Sequence, residues 1–171
     1  MSNLNWTQKL KAIYEKAVES YRAGERDPDK IFSGEESSWL AGIGLKPVHV
    51  YDHADDFVRY GEPDWETFLL VASARRDYFI YVLKREPATR EVAAGDLPPK
   101  PEELDGVPWL PRIVVKAKAF LEGTLCHDIM YGCGGDRDFL RKFNIHAADF
   151  LRLVWACEGD AKRVLEHLRR A

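Results

Sequence analysis

Apolar side chains recur along this chain at intervals of three and four residues, the signature of helices that bury one face. From residue 5 to 23 the sequence places Trp6, Leu10, Ile13, Tyr14, Ala17, Val18 and Tyr21 on one side and Lys and Glu on the other, with Gly24 as a stop. Asp27-Pro28 breaks the chain. Ser33-Gly34-Glu35-Glu36 opens a short helix to about Ile43, closed by Gly44. Pro47 opens another to about Tyr60, ended by Gly61-Glu62-Pro63.

The segment 64–84 admits two readings. Trp65, Phe68, Leu69, Ala72, Arg76, Phe79, Ile80 and Leu83 follow a helical period, and Asp64 is a good N-cap with Thr67 at the third helical position, so the pattern predicts a long buried helix. Its Val, Ile, Tyr and Phe content also suits strands, and the alternative is a hairpin over 67–83 turning at 74–77. Residues 85–108 are proline-rich and aperiodic, which predicts an extended connection of a length that often serves function. A helix follows from Trp109-Leu110-Pro111 to Glu122, stopped by Gly123, and three short helices cover 136–143, 147–157 and 160–170. The expected fold is all-α with about seven to eight helices; the hairpin would make it α+β. It divides into an amphipathic N-terminal helix, residues 1–26, and a single helical domain, residues 27–171.

Composition narrows the function. A chain of 171 residues, 46% hydrophobic and 31% charged, can bury a core without disulfides or metals. Its net charge of -3 removes the electrostatic footprint of a nucleic-acid binder. Cys126, Cys133 and Cys157 form no Cys-x-x-Cys motif and read as reduced thiols of a cytoplasmic protein. The N-terminus lacks the apolar core of a signal peptide, and no run of about 18 apolar residues suggests a membrane span. No nucleic acid, membrane, metal or cofactor is expected as a partner.

Chemistry concentrates in 126–137, Cys-His-Asp-Ile-Met-Tyr-Gly-Cys-Gly-Gly-Asp-Arg. Glycines 132, 134 and 135 turn the chain directly into a helix N-terminus, whose free N–H groups and dipole favour an anion. The plainer alternative is that Asp136 caps the helix and the glycines only permit the turn. The Gly-Lys-Ser/Thr ending of a P-loop is missing. His49 and His53, with Asp52 and Asp56 beside them, fall on one helical face and could hold a divalent ion, but no third ligand can be assigned and a solvated polar face is the simpler explanation. Arg75-Arg76-Asp77 interrupts an apolar helix, so either Arg75 points to water and Arg76 pairs with an acidic residue, or one of them faces a pocket and binds an anionic ligand. Arg112 and Lys116, four residues apart on one face, call for something acidic between them.

The run Gly106-Val107-Pro108-Trp109-Leu110-Pro111-Arg112-Ile113, then Lys116-Ala117, Gly123-Thr124-Leu125 and 130–137 resembles the DUF5069 family, as does Ala148-Asp149-Phe150-Leu151 after Asn144-Ile145-His146. Thr67-Phe68-Leu69-Leu70 and Arg75-Arg76-Asp77-Tyr78-Phe79 resemble its longer members, and the likeness covers roughly residues 45–170. The resemblance implies a small helical bacterial protein and carries no catalytic assignment; His49 and His53 lie outside it.

The unusual residues predict a pocket for a small anionic metabolite between helix 64–84, helix 109–122 and the loop 130–137. Arg75, Arg76, Asp77, Arg112, Lys116, Gly134, Gly135 and Arg137 would bind the ligand, and Tyr131, Cys133 and Asp136 are the candidate acid–base or nucleophilic groups. Whether the ligand is only bound or also transformed stays open. The alternative is a non-catalytic interaction or dimerisation module using the N-terminal helix and the basic C-terminal helices.

Overall fold

The computed structural model describes residues 5–170. Nine α-helices occur among them: α1 (Trp6–Arg22), α2 (Pro28–Ile31), α3 (Gly34–Gly42), α4 (Pro47–Tyr60), α5 (Trp65–Asp77), α6 (Leu110–Glu122), α7 (Gly134–Lys142), α8 (Ala147–Ala156) and α9 (Ala161–Leu168). The strands β1 (Glu103–Leu104) and β2 (Val107–Pro108) form a small antiparallel hairpin, Glu103 opposite Pro108. The mainly helical expectation holds, and the hairpin at 67–83 does not form. No helix among the described residues is long and apolar enough to cross a membrane.

Local chemistry sets the helix starts. Ser33 and Glu36 close a capping box, with Glu36 N–H donating to Ser33 Oγ at 3.2 Å and Ser33 N–H to Glu36 Oε2 at 2.8 Å. Asp64 accepts from Thr67 N–H at 2.9 Å and so starts α5. Pro47 occupies the first turn of α4, and Gly61, at φ +76°, ends it in the left-handed region. Two features differ from expectation. Pro28 initiates the short α2 instead of only breaking the chain, capped by Asp27. The helix predicted to run to residue 84 widens after Asp77 into one π turn, Tyr78–Val82. There the ring of Phe79 lies against Gly44, where an added Cβ would stand 2.6 Å from the Phe79 Cβ.

Two cores share α5. Leu10, Ile13, Tyr14 and Ala17 of α1 pack with Leu40, Val50, Phe68 and Ala72; Val71 and Ala74 of α5 pack instead with α6, α8 and α9 through Ile113, Phe120, Phe150, Leu151 and Leu165. The N-terminal helix, expected to stand beside a 27–171 domain, is part of the first core. Its apolar face lies on α4. The connection 85–108 is also anchored: Val92 N–H donates to Thr124 O at 2.7 Å and Cys126 N–H to Val92 O at 3.2 Å.

Candidate functional site

The first turns of α6 carry Trp109, Arg112 and Lys116 at spacings of three and four, which aims all three the same way. Opposite them the loop 127–133 leads into α7, where Asp136 occupies the third position. Lys116 and Asp136 meet there at 2.5 Å with 3% and 0% of their side chains exposed. A buried ion pair persists only when its remaining lone pairs and protons are satisfied. Here Asp136 Oδ2 also accepts Gly132 N–H at 2.9 Å, and Oδ1 accepts the Trp109 indole N–H at 2.9 Å. The Lys116 ammonium reaches on to Cys133 Sγ at 3.3 Å.

Trp109 reaches this position at a conformational cost. Its φ is +70°, a left-handed conformation that costs a bulky L-residue about 1–2 kcal/mol. Gly135 makes room for the ring, since a Cβ there would stand 2.6 Å from Trp109 Cζ2. Next along α7, Arg137 donates to Asp56 Oδ2 at 2.6 Å, to Gly132 O at 2.8 Å and to Glu62 Oε1 at 3.2 Å. The Gly-rich loop is thereby tied to α4.

Between these elements lies a cavity of about 820 Å³, a size usual for small-molecule sites. Asp52, Asp55, Asp56 and Tyr60 of α4 form one wall; Trp109, Arg112 and Lys116 form the facing one, joined by Lys100 from the connection. Cys133, Gly134 and Gly135, at the start of α7, also border it. No side chain caps that helix start. The Asp52 carboxyl is pushed up to about 7, first by loss of solvation and then by Asp56 and Asp55.

Of the residues singled out in the sequence, Arg112, Lys116, Cys133, Gly134, Gly135 and Arg137 thus converge on one cavity, and Asp136 stands immediately behind it, wholly buried. Four others do not reach it. Tyr131 is in the core: it is 1% exposed, stacked on Phe120, and donates its hydroxyl to Ala147 O at 2.8 Å. Burial raises its pKa well above the ordinary phenol value, so it is unsuited to proton transfer there. Arg75, Arg76 and Asp77 do not line the cavity; its third wall is α4, not the helix that starts at residue 64. Arg76 lies over the Trp6 ring and 3.6 Å from Asp77. Arg75 meets no carboxylate among the described residues; it lies over Phe79, and its Nε and Nη1 have no acceptor.

The histidines take neither of the roles the sequence offered. His53 is 3% exposed, donates Nδ1–H to His49 O at 2.8 Å and packs on Phe68; His49 accepts from Lys46 N–H and packs on Phe120. Loss of solvation lowers both, His53 to about 4. No three His, Cys, Asp or Glu side chains among the described residues are grouped to hold a metal ion. Sequence reasoning noted Asp52 and Asp56 only as neighbours of these histidines. Their spacing of four, which aims both the same way from α4, was the signal available. Comparison of the chain with family models, with curated proteins and with solved structures finds no match.

Proposed function

We propose that this cavity binds a small molecule carrying a carboxylate or phosphate, with Cys133 as the reactive group beside it. The observation that carries the reading is the meeting of Cys133 Sγ and the Lys116 ammonium at 3.3 Å on the cavity wall, at the uncapped start of α7. A helix N-terminus attracts an anion, and Arg112 and Lys100 border the same space. Arg112 donates to Pro98 O at 2.7 Å and faces no carboxylate of the chain within ion-pair distance among the described residues. The two segments that carry most of the resemblance to the DUF5069 family, 106–117 and 130–137, both border the cavity.

In this arrangement Asp136 is a positioning residue. It fixes the Lys116 ammonium and the Trp109 ring, and Lys116 in turn holds its charge against the thiol.

The test combines thermal shift with thiol labelling. Inorganic phosphate or a simple carboxylate should raise the melting temperature and slow iodoacetamide alkylation of Cys133, while buried Cys126 and Cys157 stay unlabelled. Arg112→Met should remove both effects without changing the far-ultraviolet circular dichroism. Labelling of Cys133 that is indifferent to every anion, in a protein whose melting temperature also does not respond, would sink the reading.

A further inference from the structure

The cavity is lined by charges of both signs, and on each side a charge lacks an ion-pair partner among the described residues: Asp52 on α4, and Arg112 and Lys100 across from it. On α4, Asp56 is held by Arg137 at 2.6 Å and Asp55 lies 3.7 Å from Arg59. Asp52, which borders the same cavity, meets no lysine, arginine or histidine within ion-pair distance among the described residues. On the facing wall Lys116 is neutralised by Asp136, whereas Arg112 donates to the carbonyl of Pro98, lies 5.9 Å from the Trp109 ring centroid and meets no carboxylate within ion-pair distance among the described residues.

A simple anion would neutralise Arg112 but bring its charge towards Asp52, in a partly desolvated space where like charges repel strongly. A simple cation would meet the converse difficulty. A molecule with both charges neutralises both walls at once. Resting on the reading of this cavity as a small-molecule site, we propose that its ligand is a zwitterion, an amine-bearing carboxylate or phosphate, with the ammonium on Asp52 and the acid group on Arg112 and the start of α7. Asp52 is then the specificity-determining residue. The loss of solvation that pushes its carboxyl up to about 7 is offset by the attraction of an ammonium group placed beside it.

Matched probes test this in the full chain by titration calorimetry: γ-aminobutyrate against butyrate, and O-phosphoethanolamine against ethyl phosphate. The amine-bearing member of each pair should bind about tenfold more tightly, the worth of one charge-assisted contact. Asp52→Asn, which keeps the side-chain volume, should abolish that preference while retaining the weaker binding of the plain acids. Arg112→Met should weaken all four. If the plain acids bind as well as their amines, or if Asp52→Asn leaves the preference intact, the zwitterion is refuted and the anion site stands. If none of the four binds to the unmodified protein, the cavity is not a site for such ligands, and both readings fall together.

Discussion

Lys116 and Asp136, 20 residues apart in the chain, form an ion pair withdrawn from water, and the carboxylate's partners, Lys116, Trp109 and Gly132, all come from segments bordering one cavity. Such a pair contributes less to stability than its geometry suggests, because desolvation offsets the Coulomb attraction; removing one partner is what costs. Asp136→Ala strands the Lys116 ammonium and should destabilise by about 3–5 kcal/mol in urea unfolding. Lys116→Met should cost less, because Asp136 keeps the Trp109 and Gly132 N–H groups. Equal losses for the two variants would show that those N–H groups do not compensate the carboxylate.

Gly135 and Gly134 are adjacent yet differ in what a methyl group would meet. At Gly135 it would stand 2.6 and 2.8 Å from two carbons of the Trp109 ring, whereas at Gly134 only Arg137 Nη2 lies near, at 3.9 Å. Gly135→Ala should therefore displace the indole, break its bond to Asp136 and cost about 1–3 kcal/mol. Gly134→Ala should be neutral or mildly stabilising, since alanine suits a helix better. Tryptophan fluorescence and the melting temperature of each variant report both effects.

Arg75 is 4% exposed, and its Nε and Nη1 have no acceptor among the described residues. Loss of solvation lowers even its pKa, to about 10. Replacing such a buried charge with an apolar chain of similar length is often stabilising. Arg75→Met should raise stability by about 1 kcal/mol despite losing the contact with the Phe79 ring, shifting the melting temperature by about 2–4 °C. A lower melting temperature would mean that the guanidinium is stabilised by more than its visible neighbours.

Two groups give opposite pH dependences. Asp52 has a folded value of about 7 against 3.8 in an exposed chain, so the folded state binds the extra proton, and stability falls as pH rises from about 4 to 7. His53 behaves conversely: its folded value of about 4 lies below 6.5, so stability rises across that window as the ring becomes neutral in the unfolded chain too. The stability gain of Asp52→Asn over the unmodified protein, measured by urea titration, should accordingly be absent near pH 4 and grow to a plateau above pH 7. A difference that stays constant with pH would contradict the burial of this carboxyl.

The sequence by itself determined the helices and most of their ends, because those depend on residues three or four apart. Ser33 with Glu36, Asp64 with Thr67, Pro47 and Gly61 act within a single turn, and the apolar spacing of Leu10, Ile13, Tyr14 and Ala17 is enough to define a buried face. It also marked the two segments, from Trp109 to Lys116 and from Cys133 to Arg137, that border one cavity. Only the tertiary structure decided which third element completes it. The bond from Arg137 to Asp56 spans 81 residues and that from Lys116 to Asp136 spans 20, distances over which local spacing carries no information. For the same reason Tyr131, two residues before Cys133 in one short loop, could be in the core or at the site with equal local plausibility; its hydroxyl bond to Ala147, at the start of α8, holds it in the core. The helical period of α5 shows that Arg75 and Arg76 are buried or exposed together with their neighbours. It does not say which neighbour they face, because that follows from how the helices pack on one another.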